Sequence, residues 1–239
     1  MNWIILYILS FLAVIMVLTV GYYLHKKAIL CFNQYQNIEN KKGIISKELA
    51  YQLFKVNNLR STALTTLKAK KSNYFSAKYN VIKLSPLTIH SPYLFDLAIC
   101  AKCANQAKTQ QYNYISSALR YIVSLITRFI SMLFIPIILI TSILNMSFGL
   151  NKIAFTIALI SLICYVLVFI IEFVLYIANQ ISSQKISLDL EKTGFFEKEE
   201  ISNLASLIGA LNKFDFYSFT RLSLSIFALA SPATYLGEK

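Results

Sequence analysis

Few residues in this chain could do chemistry. Cys100 and Cys103 form a C-x-x-C, and the chain holds two histidines, His25 and His90. On a helix two thiols three apart share a face, which suits a metal or a redox couple. A lone C-x-x-C without a second pair is a weak metal signal, so two small buried residues are the simpler reading. Two charges interrupt otherwise apolar runs: Arg128 within Tyr121–Met146 and Glu172 within Ile153–Ala178. A charge inside a membrane is costly and is read by default as functional, so its pairing matters. Arg128 lies eighteen residues before Met146 and Glu172 nineteen after Ile153, which places them at nearly equal depth. The expectation is an Arg128–Glu172 ion pair that locks a hairpin. Six glycines leave little room for a phosphate loop, and no G-x-S-x-G nucleophile elbow occurs. Neither histidine stands in a recognisable triad context.

The elements that must position these groups are legible in part. Leu97–Lys108 has no Gly and no Pro and reads as a helix. Just before it, Asn80–Ser85 reads as a short strand that Pro86 ends. Ser46 is an expected N-cap for a helix with an apolar stripe at Leu49, Leu53 and Val56, and Asn57-Asn58 can end it in the left-handed conformation. Ala63–Leu67 and Val81–Leu84 read as two strands, with the turn Lys68-Ala-Lys70-Lys71 between them. Gly194 suits a helix C-cap. Glu197, Glu199 and Glu200 favour the start of a following helix, whose apolar stripe is Ile201, Leu204, Ala205, Leu207 and Ile208.

The background is a membrane composition. The 239 residues are 56% hydrophobic and 14% charged, with a mean hydropathy of +0.57, whereas soluble domains carry about 25% charged residues. Trp3–Leu24 has no charge and is long enough to span a bilayer, and it lacks the basic n-region of a signal peptide. The net charge of +12 is concentrated in residues 26–120, which hold fifteen Lys/Arg against Glu39, Glu48 and Asp96. Basic residues beside membrane helices mark the cytoplasmic side, and that reading is favoured over nucleic-acid binding. The expected fold is mainly α, an integral membrane protein with about four transmembrane helices and a small cytoplasmic α+β domain. Residues 1–27 form the first span, 28–118 the cytoplasmic domain and 119–178 a transmembrane hairpin. Residues 179–221 are a cytoplasmic helical segment and 222–239 a last membrane segment. Charge bias puts the N-terminus outside in the plasma membrane. With three cysteines on the reducing side and Cys164 in a span, no disulfide framework is expected.

The layout of membrane helix, small soluble domain and membrane hairpin resembles the neutral zinc metallopeptidases of bacterial membranes. Local matches are Gly43 with Glu48-Leu-Ala50, the run Val81–Ser85, Ala101 and Ala107, and Gly194-Phe-Phe with Glu199-Glu200. The resemblance covers roughly residues 25 to 230. It implies a zincin-like domain whose helix carries H-E-x-x-H. There two histidines one turn apart bind Zn²⁺ and the glutamate activates a water.

In that register this chain has Lys102-Cys103-Ala104-Asn105-Gln106. A protonated Lys102 repels Zn²⁺, the Gln106 amide is a poor ligand, and Cys103 is a poor substitute for a carboxylate base. The resemblance places the third ligand at Asn179, or at Glu172 about 10 Å earlier along the helix. The expectation is therefore a proteolytically inactive binding or scaffold protein with no cofactor. Its partners would be the bilayer and a membrane-proximal peptide or membrane protein, not nucleic acid. The alternative is an active, divergent zinc peptidase with a rearranged site drawn from Cys100, Cys103, His90 and Glu172. A third reading is a basic membrane anchor unrelated to proteases.

Overall fold

The computed structural model describes residues 2–66, 73–112 and 114–224. In chain order the elements are α1 (Asn2–Tyr35), α2 (Ser46–Val56), β1 (Ala63–Thr66), β2 (Tyr74–Ser76), β3 (Val81–Leu84) and α3 (Pro86–Ile89). There follow α4 (Leu94–Tyr112), α5 (Tyr114–Phe148), α6 (Asn151–Thr193), α7 (Lys198–Thr220) and a 3-10 turn, Arg221–Leu224. The chain forms two compact units. One takes in Met1–His25, Ile122–Tyr176 and Phe214–Lys239, the other Lys26–Tyr121 and Ile177–Lys213.

The first unit is built from apolar helices. Trp3–Tyr35, Leu119–Phe148 and Asn151–Thr193 are long and apolar enough to cross a membrane. No Gly or Pro follows Leu24 before Gly43, or Ala178 before Gly194, so α1 and α6 run past their apolar stretches without a break. The expected fourth span, residues 222–236, lies outside the described residues beyond Leu224.

Packing in this unit follows a three-four spacing of polar and small side chains. On α5 the buried positions are Thr127, Ser131, Phe134, Thr141 and Asn145; on α6 they are Ala154, Ala158, Tyr165 and Val168. Lipid is as apolar as leucine, so helices in a bilayer associate through close packing and polar contacts, which favours small and hydroxyl-bearing seams. Phe134 stacks on Tyr165 with ring centroids 4.1 Å apart. Ser10, Val14 and Val17 continue the pattern on α1, and Gly21 completes it. A Cβ at Gly21 would lie 2.0 Å from Thr220 Oγ1 and 2.8 Å from Thr220 Cβ, so only glycine admits α7 at this distance.

The second unit has a core shared by helices and a small sheet. Leu49 and Leu53 of α2, Ile82 and Leu84 of β3, and Leu97, Ala101 and Ala104 of α4 meet Leu190 of α6 and Leu204 and Leu207 of α7. The sheet order is β1-β3-β2, with β1 parallel and β2 antiparallel to β3. Two strands joined by the Lys-rich turn would have formed a hairpin. Instead β1 and β3 are parallel, and β2, missed in the sequence, fills the antiparallel place. Asn58 adopts the expected left-handed conformation at φ 52° beyond α2. Ser46 does not cap α2: it is the first helical residue, and its N–H donates to the Ser91 carbonyl at 3.1 Å. Glu48 reaches back instead, its carboxylate accepting from the Ile45 N–H at 3.3 Å. Gly194 ends α6 at φ 68°, and Glu200 caps α7 by accepting from the Glu197 N–H at 3.0 Å.

Candidate functional site

The path from β3 into α4 is fixed by a polar chain. Ser85 is the N-cap of α3, its hydroxyl accepting from the Thr88 N–H at 3.2 Å. Asn73 accepts from the Ser85 N–H at 2.6 Å and donates to the Thr88 hydroxyl at 3.0 Å. The Thr88 hydroxyl donates in turn to Asp96 at 2.9 Å, in the first turn of α4. Four short polar side chains thus set where α4 begins and which way it faces.

The motif-equivalent positions on α4 have unlike surroundings. Lys102 is half-buried and Gln106 exposed, while Cys103 is buried in the core. Cys100 is fully buried and donates its thiol to the Ser46 carbonyl at 3.2 Å. Burial, and then the neighbouring Cys103, push the Cys100 thiol above its usual range, which keeps it protonated and a poor metal ligand or nucleophile. None of Cys31, Cys100, Cys103 and Cys164 is in a disulfide. His90 is exposed at the C-cap of α3. Asn179 is an exposed residue of α6, and its backbone carbonyl accepts from the Asn212 side chain at 3.2 Å.

Glu172 belongs to the other compact unit. Its carboxylate accepts from the Thr127 hydroxyl, and among the described residues no ion pair joins it to Arg128. Adjacent helical positions point about 100° apart. Thr127 is buried against α6, which turns Arg128 outward to an exposed position.

Two bridges between α4 and α6 went unforeseen. The Asn105 side-chain amide donates to the Ser182 hydroxyl at 2.9 Å. The Lys108 ammonium pairs with the Asp189 carboxylate at 2.5 Å, their side chains 31% and 8% exposed. The available signal was Asp189 itself, an acid set between core residues Ile186 and Leu190. A buried acid calls for a partner. A second pair was also missed. Lys41 binds Glu197 at 2.5 Å, which holds the Glu197 carboxyl below, and the Lys41 ammonium above, their usual values.

The residues present do not fit a zinc ion. Among the described residues no three His, Cys, Asp or Glu side chains gather where they could hold a metal. The helix that would carry both histidines offers an amine and an amide there, with a thiol turned into the core between them. The family model described as "Putative neutral zinc metallopeptidase" matches residues 7–211. No curated protein and no solved structure matches the chain.

Proposed function

Since the chain belongs to the neutral zinc metallopeptidase family, we propose that it is a member without proteolytic activity, retained as a membrane binding or scaffold protein. The observation that carries this reading is the pairing of α4 with α6. Where the family resemblance places a metal site, α4 offers Lys102 and Gln106, and it joins α6 through Asn105–Ser182 and Lys108–Asp189.

On this proposal the domain stands on the cytoplasmic side of the plasma membrane and holds an extended, membrane-proximal segment of another protein. Both β1 and β2 are outer strands, so a peptide can add to the sheet edge through backbone hydrogen bonds without being cut. No cofactor takes part. The test is zinc content per chain in detergent-purified protein, with Cys103→Ala beside it. Zinc well below one per chain in both proteins is the expected result. Near-stoichiometric zinc that disappears with Cys103→Ala would overturn the proposal.

A further inference from the structure

The small sheet of the second unit has a covered face and an open one. Side chains alternate along a strand. Ile82 and Leu84 of β3 enter the core, and Phe75 of β2 and Leu64 of β1 pack against it. The register then places Val81 and Lys83 on the opposite face, beside Tyr74 and Ser76 of β2 and Ala63 and Thr65 of β1. Of these six, the charged residue is Lys83, on the central strand.

Two tyrosines gather round it. The Lys83 ammonium lies 5.6 Å from the ring centre of Tyr74 and 5.7 Å from that of Tyr79, in the turn after β2. Lys78 lies 5.2 Å from the Tyr79 ring. Both tyrosines are exposed, and neither lysine has an ion pair among the described residues. A ring face attracts an ammonium without neutralising it. The cluster thus combines two positive charges with two phenol donors.

The surrounding chain offers it no counter-charge. From Leu49 to Phe95 there are seven Lys/Arg and no Asp or Glu. The acids next in sequence on either side are engaged, Glu48 with the Ile45 N–H and Asp96 with the Thr88 hydroxyl. A patch of one sign is complementary to a partner of the other.

The two sheet edges differ in what they bring to this face. β1 shows Ala63 and Thr65 there, without ring or charge. The Lys83 ammonium lies by the rings of β2 and its turn. A strand added beside β2 would lie about 4.8 Å away, with every second side chain standing next to Tyr74 and Ser76. A lipid headgroup would use the charge but not the backbone donors and acceptors of that edge, which suit a peptide.

Resting on the reading that this sheet takes a peptide at its edge, we propose that the peptide is acidic. It adds beside β2 and sets carboxylates, at alternate positions, against the Lys83 and Lys78 ammonium groups and the Tyr74 and Tyr79 hydroxyls. The experiment uses the full chain in phosphatidylcholine nanodiscs and reads the fluorescence anisotropy of labelled peptides of about eight residues. Three alternate Thr with Glu, Gln or Lys. A fourth is the Thr/Glu peptide methylated at every backbone nitrogen.

The Thr/Glu peptide is expected to bind about tenfold more tightly than Thr/Gln, with Thr/Lys weaker still and the methylated peptide unbound. Lys78→Gln with Lys83→Gln should bring Thr/Glu down to the affinity of Thr/Gln, whereas Lys78→Arg with Lys83→Arg should keep the preference. Lys47→Gln with Lys55→Gln removes as much charge from exposed positions of α2 and should change the affinity by less than about twofold at physiological salt. Equal affinity for Thr/Glu and Thr/Gln would overturn the acidic assignment while leaving the edge reading in place. Equal losses in the two double Gln variants would overturn it as well. Undiminished binding of the methylated peptide, or no binding of any peptide, would remove the edge reading and this proposal with it. Capture by phosphatidylglycerol vesicles, lost in Lys78→Gln with Lys83→Gln while no peptide binds, would reassign the face to a membrane surface.

Discussion

Replacing Lys108 with Met keeps the aliphatic stem against α6 and removes the charge. Asp189, 8% exposed, then has no counter-charge and no other hydrogen bond among the described residues. Breaking a fully buried pair from one side costs about 3–5 kcal/mol. Lys108 is 31% exposed, so water reaches the vacated place and part of that cost is recovered. The expected loss is about 2–3 kcal/mol. Replacing both partners by apolar groups, Lys108→Met with Asp189→Leu, leaves no stranded charge and should return the protein to within about 1 kcal/mol of the parent.

The core thiols provide the assay. Cys100 is fully buried and Cys103 4% exposed, so a thiol reagent reaches them only when the second unit opens. In a Cys31→Ser, Cys164→Ser background, labelling under native conditions reports the opening free energy of that unit. At tenfold per 1.4 kcal/mol, Lys108→Met should speed labelling about 30- to 150-fold, and the double replacement by less than about fivefold. Labelling of Lys108→Met within about threefold of the parent would refute the reasoning. Asp189 would then not depend on Lys108.

Three other perturbations test separate parts of the structure. Gly21→Ala drives a methyl against the Cβ of Thr220, which no rotamer change relieves, so it should destabilise by about 1–3 kcal/mol, read as a lower melting temperature in detergent. Adding Thr220→Gly should restore it. Glu200, 5% exposed, accepts from the N–H groups of both Lys41 and Glu197, at 2.8 and 3.0 Å. Glu200→Ala should therefore cost about 1–3 kcal/mol and speed hydrogen exchange at those two amides above all. The Lys41–Glu197 contribution should be constant through neutral pH. Glu197 is held below its usual 4.5, so its share is present above that value and is lost as pH falls through the lowered one. Lys41 is held above 10.5, so its share is present below that value and is lost as pH rises through the raised one. The stability difference between parent and Lys41→Ala, followed across pH, should shrink only at those two extremes.

Much of the scaffold was legible because it rests on local rules. The apolar runs, the strand ended by Pro86, the left-handed Asn58 and the Gly194 cap each follow from a few neighbouring residues. What the sequence hid was non-local. The three-residue β2 has too little pattern to announce itself, and its role emerges only when β1 and β3 pair in parallel. Asn105 and Lys108 look like ordinary polar helix residues until α6 brings Ser182 and Asp189 against them across some 80 positions. Charge and depth matched Arg128 to Glu172, but helix phase, which decides which side chain faces inward, favoured Thr127.

Helix phase also decides what remains of the candidate site. On α6, Asn179, Ser182 and Asp189 are spaced three and seven apart, so they lie along one stripe. On α4, Lys102 and Asn105 are likewise three apart, with Lys108 three further on. The positions where the family resemblance puts metal ligands are therefore one turn from the positions that carry the Asn105–Ser182 and Lys108–Asp189 bridges. A metal between two such helices would contribute binding energy to the fold as well as reactivity. An ion pair and a hydrogen bond contribute only the first of these. On the proposed reading, the bridges that hold α4 to α6 supply that contribution without ligands at 102, 106 and 179.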